Sequence, residues 1–84
     1  MFDGVCDIRR AGITPDGRAQ LDLRAADGSW DWNWFLGRDT ITKEILAVAL
    51  AAITSDKQVW AQMDDPKNAW SEVFRLSIHD KQYW

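Results

Sequence analysis

The hydrophobic pattern of this chain changes period once, and that change constrains the fold more than any other feature. From Ala19 to Ala25, apolar and polar residues alternate strictly, as in a strand with one buried face. From Ile41 to Ile53, an alanine-rich run carries an apolar stripe at helical spacing, which predicts an amphipathic helix. The residues of this stripe are Ile41, Ile45, Ala49, Leu50 and Ile53. Because the chain has only 84 residues, strands and helix must share one small domain.

Turn signals divide the chain further. Pro15, Asp16 and Gly17 form one, and Asp27 with Gly28 forms another, because proline presets φ and glycine accepts a positive φ. The predicted elements are strands at about 5–13, 18–26 and 30–36, a helix at about 40–54, and strands at about 58–63 and 71–79. This is the element order of the OB-fold. We therefore predict a single, mainly β domain over residues 1–84, an OB-like five-stranded barrel with one α-helix between strands 3 and 4.

The alternation also predicts which side chains fill the core. Trp30, Trp32 and Trp34 share one parity in the third strand and are expected to face the barrel interior, with one of them at its mouth. Six of the 84 residues are tryptophan, and each buried indole removes on the order of 200 Å² from water. Parity and helical spacing select as most buried Leu21, Leu23, Trp32, Ile45, Leu76 and Ile78.

Two apolar features are predicted outside the core. In the fourth strand Val59, Ala61 and Met63 face inward, which leaves Trp60 outward beside Gln62. An outward tryptophan is uncommon unless something covers it, so Trp60 is predicted to form a subunit contact, favoured over a small-molecule platform. The helix has few polar residues after its first turn, and its outer face is either covered by another chain or a tolerated run of small exposed residues. The candidate binding or interface residues are Trp60, Trp70, Gln62, Ala47 and Ala51.

Catalytic and metal-binding motifs are sparse. Cys6 is the only cysteine, so neither an internal disulfide nor a cysteine-built zinc site is expected. No sequence pattern supports its pairing with His79, the only histidine. Asp27, Asp31 and Asn33 lack the spacing and the closing glutamate of a calcium loop. We predict a protein that is not an enzyme and that uses no metal or cofactor.

Nucleic acid is the main alternative ligand, because OB-folds bind single strands through aromatic side chains and basic grooves. Arg18 and Arg24 fall on the polar face of the second strand, and Arg9, Arg10 and Arg38 are candidates to join them. The tryptophans of the third strand are predicted on the opposite face, and the net charge is -3, which weakens attraction to phosphates. A single-stranded nucleic-acid-binding OB-fold protein therefore stands as the alternative function.

From Thr42 to Val59, an alanine-rich helix runs into a polar turn with Lys57 and then into a strand. This passage resembles that of bacterial pertussis-toxin-like B (binding) subunits and their uncharacterised relatives, which are OB-folds. Such subunits form rings, commonly of five, by pairing edge strands and packing helices around a central pore. The resemblance implies a homo-oligomeric ring that binds a glycan, a peptide or a partner protein.

The N-terminal segment and the length of the apolar runs indicate in which cellular compartment the protein is expected. The segment after Met1 has neither a basic patch nor an apolar stretch of the signal-peptide kind. We therefore expect a cytoplasmic protein if Met1 is the native start, and a secreted one if a signal peptide was removed. No apolar run reaches about 18 residues, so no membrane-spanning helix is predicted.

Overall fold

The strands of the computed structural model, which describes residues 1–79, close into a barrel in the order β1-β2-β3-β5-β4. The elements are β1 (Phe2–Ile13), β2 (Ala19–Ala25), β3 (Asn33–Gly37), α1 (Thr42–Thr54), β4 (Gln58–Met63) and β5 (Glu72–His79), with a 3₁₀ turn at Asp39–Ile41 before α1. The predicted fold class, a mainly β five-stranded barrel with one helix between the third and fourth strands, is confirmed.

The inward faces of β2 and β4 follow the predicted alternation. Leu21 and Leu23 of β2 are fully buried. The three inward residues predicted for β4 are also fully buried, namely Val59, Ala61 and Met63. Each of these strands carries polar residues on its other face, so only one register buries the apolar set.

The predicted orientation of β3 is wrong. Phe35 lies directly opposite the buried Leu21, and side chains of directly opposite residues share a face, so Phe35 is the residue that enters the core. Trp34 therefore faces outward, and Trp32 precedes the strand and is only half-buried. Of the three tryptophans predicted to fill the interior, Trp30 packs against the core, edge-on to Phe35 at 5.4 Å between ring centroids.

The buried face of β5 also differs from the prediction. The register shifts after Gln62, so that Met63 lies opposite Val73 rather than Phe74, and Val73 is the residue that is fully buried. Leu76 is half-buried against the core, whereas Ile78 is 43% exposed. Within residues 1–79, β5 pairs with β3 only near its first residues, so Ile78 lies on a strand edge that β3 does not cover.

The helix α1 packs on the barrel through Ile45, Ala49 and Ala52, which are buried. Gly37 permits this approach, since a Cβ at that position would lie 3.2 Å from Ile45 Cδ1. The predicted apolar stripe included Leu50, but Leu50 is 53% exposed. The buried stripe passes through Ala52 instead, because the barrel contacts a narrow, small-residue face of the helix.

The helix ends in a pair of backbone hydrogen bonds characteristic of the Schellman motif. The Lys57 N–H donates to the Ala52 carbonyl at 2.8 Å, and the Asp56 N–H donates to the Ile53 carbonyl at 3.3 Å. Asp56 has a φ of 57°, a left-handed conformation in which glycine is the usual residue. The carbonyl groups of Ala52 and Ile53 at the helix end are therefore hydrogen-bonded, at the cost of local backbone strain at Asp56.

A β-bulge in β1 determines which face its arginines occupy. Ile8 lies opposite Leu23, but the next paired residue is Arg10, opposite Asp22. Arg9 is the extra residue, as in a bulge where two residues oppose one. The consequence is that Arg9 and Arg10, although consecutive, both reach the same outward-facing carboxylate.

Candidate functional site

One candidate site surrounds Trp60 on the outside of β4. We call it the Trp60 surface and define it as Asp3 of β1, Trp60 and Gln62 of β4, and Arg75, Ser77 and His79 of β5. These residues line an open cavity of about 360 Å³. The predicted outward orientation of Trp60 is confirmed, since its side chain is 39% exposed.

Asp3 fixes the orientation of the indole. The Trp60 Nε1–H donates to Asp3 Oδ1 at 2.5 Å, and the Gln62 Nε2 donates to Asp3 Oδ2 at 3.1 Å. These two hydrogen bonds, with a smaller contribution from the charge of Arg75, hold the pKa of the Asp3 carboxyl below its usual value. The centroid of the His79 ring, on β5, lies 5.9 Å from that of the Trp60 ring. Sequence reasoning missed Asp3 and Arg75, because nothing local signals that β1 and β5 flank β4.

A second candidate site lies on the outer face of β1, β2 and β3. We call it the arginine–tryptophan surface, and its members are Arg9, Arg10, Asp22, Arg24, Trp32, Trp34 and Trp70. In the closed barrel, β4 is separated from β2 by β1 and from β3 by β5. The two surfaces are therefore centred on different strands and have no residue in common.

Asp22 organises the arginines of this surface. Asp22 is 1% exposed, and its Oδ2 accepts hydrogen bonds from the Nε of Arg9 at 2.6 Å and from the Nε of Arg10 at 2.9 Å. A buried carboxylate needs such charged partners to offset its lost hydration. On the neighbouring row, Arg24 donates from Nε and Nη2 to Asp7 Oδ2 at 3.1 and 2.8 Å.

The tryptophans pack directly against these guanidinium groups. The Cζ atoms of Arg9 and Arg24 lie 4.2 and 4.8 Å from the ring centroid of Trp32, and that of Arg10 lies 4.9 Å from the ring of Trp34. These are cation–π distances. The prediction that tryptophans and arginines occupy opposite faces is therefore wrong, because the reversed parity of β3 brings Trp34 onto the arginine side.

Trp70 joins this surface from the loop between β4 and β5. Its ring stacks on that of Trp34 with centroids 6.2 Å apart and an interplanar angle of 16°, and its backbone N–H donates to the Trp34 carbonyl at 2.7 Å. Trp70 has a φ of 65° and is 50% exposed. A bulky residue in the left-handed region is an outlier that the surrounding structure must hold in place. Trp70 is thus separate from Trp60 and Gln62.

The other two arginines considered for nucleic acid are engaged elsewhere. Arg18 donates from Nη2 to the Gly37 carbonyl at 2.9 Å and lies 3.6 Å from Glu72. Arg38 donates to the same carboxylate at 2.8 Å. These two side chains tie the start of β5 to its neighbours and are not part of the arginine–tryptophan surface.

The residues considered for catalysis are not brought together. Cys6 is fully buried in the core, and burial raises the pKa of its thiol to about 12, so the nucleophilic thiolate is suppressed near neutral pH. His79 instead contacts Trp60 outside the barrel. Asp27 and Asp31 accept hydrogen bonds from nearby backbone N–H groups. Within residues 1–79, no three His, Cys, Asp or Glu side chains are grouped so that they could hold a metal ion.

The candidate interface residues Ala47 and Ala51 are exposed on the outer face of α1, where they form a small apolar patch with the exposed Leu50. None of the helical segments within residues 1–79 has the length and apolar character needed to cross a bilayer.

Comparison of the chain with protein-family models, with curated proteins and with solved structures found no significant match.

Proposed function

We propose that the chain is a non-catalytic binding module that holds a saccharide on the Trp60 surface. The observation that carries the proposal is the fixed, exposed indole of Trp60, held by Asp3 while Gln62 occupies the second carboxylate oxygen. A pyranose ring presents C–H bonds on one face and hydroxyl groups around its edge. A flat aromatic ring bordered by a few oriented polar groups complements both features.

Arg75 supports a narrower ligand class. It is exposed, and among residues 1–79 it forms no ion pair within 4 Å. A guanidinium beside the cavity pairs well with a carboxylate, because its donors match the geometry of the two oxygens. The proposed ligand is therefore a saccharide that carries a carboxylate group.

The proposal includes self-assembly. The resemblance of residues 42–59 to toxin B subunits supports a ring of copies, and the exposed Ala47, Leu50 and Ala51 of α1 supply an apolar contact. Ala51→Glu should lower the mass measured by light scattering at micromolar concentration, whereas the matched change Thr54→Glu at the helix end should have less effect. A wild-type protein that is monomeric at this concentration would remove assembly from the proposal.

Saccharide binding is tested with a panel of immobilised neutral and carboxylate-bearing oligosaccharides. We expect the wild type to bind the carboxylate-bearing oligosaccharides, and we expect the Trp60→Leu and Arg75→Gln variants to lose this binding. Trp70→Leu is the matched control, since it removes another exposed indole, 50% exposed against 39% for Trp60, on the other surface. Binding that survived Trp60→Leu would contradict the proposal. Absence of binding to the whole panel would also refute it.

A further inference from the structure

The guanidinium groups of the arginine–tryptophan surface have unused donors. Arg9 and Arg10 each bond Asp22 through Nε, and among residues 1–79 their Nη atoms have no hydrogen-bond partner. Their side chains are 48% and 59% exposed. The Nη edge of a guanidinium binds two oxygens of a phosphate or a carboxylate at once. Asp22 therefore orients both arginines while leaving their outer edges available.

The charge of this surface is opposite to that of the whole chain. A single carboxylate, that of Asp22, is shared by Arg9 and Arg10, while Arg24 is paired with Asp7. Three arginines thus face two carboxylates, which leaves one excess positive charge in a protein whose net charge is -3. A local excess of positive charge attracts an anionic ligand to this face.

The same surface presents aromatic faces. Trp34 contacts both the guanidinium of Arg10 and the ring of Trp70. Trp70 is half-exposed and has a strained backbone conformation. Backbone strain of this kind persists where the fold holds a side chain in a particular position, and it is most frequent at functional sites. The stack ends in an open indole, which is a platform for another flat ring.

We propose that the arginine–tryptophan surface binds single-stranded nucleic acid. Phosphates pair with the outer edges of Arg9 and Arg10, and a base stacks on Trp70. A single strand offers phosphates and unstacked bases together, as this surface requires. A duplex keeps its bases in the helical stack, and an acidic peptide supplies carboxylates without a flat base. This function is separate from the saccharide site, because the two surfaces are centred on different strands and have no residue in common.

The test is fluorescence anisotropy with a labelled 12-nucleotide oligothymidylate at 20 mM salt and above. With two or three phosphate contacts, a plot of the logarithm of the association constant against the logarithm of the salt concentration should have a slope of about -1.4 to -2.1. Arg10→Gln should make this slope shallower by about 0.7. Trp70→Leu should weaken binding about 5- to 150-fold, since base stacking on one aromatic ring has that value. Trp60→Leu, the matched control on the other surface, should leave affinity unchanged.

Circular dichroism of each variant establishes that it is folded. Trp70→Phe keeps an aromatic face at this position and should therefore retain most of the affinity that is lost in Trp70→Leu. The proposal is overturned by an absence of binding at 20 mM salt, or by equal affinity in Trp70→Leu. It is also overturned if a duplex of the same length or polyglutamate competes as well as the single strand, since either result would indicate attraction to any anion without base stacking.

Discussion

Asp22 is the residue whose replacement tests the outer surface most directly. Asp22→Asn keeps the shape of the side chain and one acceptor oxygen but removes the charge that meets Arg9 and Arg10 at 2.6 and 2.9 Å. A hydrogen bond to a charged group contributes roughly 1.5–3 kcal/mol, against about 1 kcal/mol for a neutral pair. The two guanidiniums are about half exposed and regain water, which reduces the loss. We therefore expect the free energy of unfolding to fall by about 1–3 kcal/mol.

The measurement is urea denaturation followed by circular dichroism, which does not depend on the tryptophans beside the mutation. A loss of 1 kcal/mol should lower Tm by about 4–8 °C in a domain of this size. Asp31→Asn is the matched control, because Asp31 is exposed and accepts from the adjacent Trp32 N–H, and its effect should stay within about 0.5 kcal/mol. If Asp22→Asn were as mild as this control, Asp22 would not organise the arginines and the account of this surface would be refuted.

Three further outcomes follow from the core, the helix end and the Trp60 surface. Leu23→Ala, at a fully buried position, should lower the free energy of unfolding in urea by about 2–5 kcal/mol through lost transfer energy and a cavity; a change below about 1 kcal/mol would mean that the register of β2 is wrong. Asp56→Gly should raise the stability by about 0.5–1 kcal/mol, because glycine relieves the left-handed strain at the helix end, and an unchanged or lower Tm in a thermal melt would contradict this. Because the folded-state pKa of Asp3 is lowered, its bonds to Trp60 and Gln62 are present above the ordinary value of 3.8 and are lost as the pH falls through the folded-state pKa. The indole fluorescence should therefore change below pH 3.8 and not in Asp3→Asn, and a transition centred above this pH would argue against the assignment.

The sequence predicts a strand well where polar residues mark one of its faces. In β2 every second residue is polar, and in β4 Gln58 and Gln62 mark the outward face that Trp60 shares, so the inward face can be recognised without the structure. In β3 the consecutive residues Trp34, Phe35 and Leu36 are all apolar, and alternation cannot decide which of them is inward. The pairing of Phe35 with the buried Leu21 determines that Phe35 faces inward. That pairing is a tertiary contact, which the sequence of β3 alone does not reveal.

The candidate sites likewise divide into features that the local sequence predicts and features that only tertiary contacts reveal. The outward position of Trp60 follows from the alternation of its own strand, and the structure adds the partners that neighbouring strands supply. The arginine–tryptophan surface was missed because it depends on the bulge at Arg9 and on the parity of β3. The doublet Arg9 and Arg10 within a strand is the one local signal for it, since two consecutive charged residues interrupt alternation and suggest an extra residue.

The closure of the barrel between β3 and β5 has a consequence for hydrogen exchange. Within residues 1–79 this parallel seam has two paired positions, against five between β1 and β4, and its backbone hydrogen bonds include that from Trp70 to Trp34. The free energy of local opening should therefore be smallest here, and the amides of Leu36, Arg38 and Trp70 should exchange before those of the seam between β1 and β4. The stacked indoles span the same seam, so a ligand bound across them would raise the free energy of local opening there. Its binding would therefore be measurable as slower exchange of these three amides.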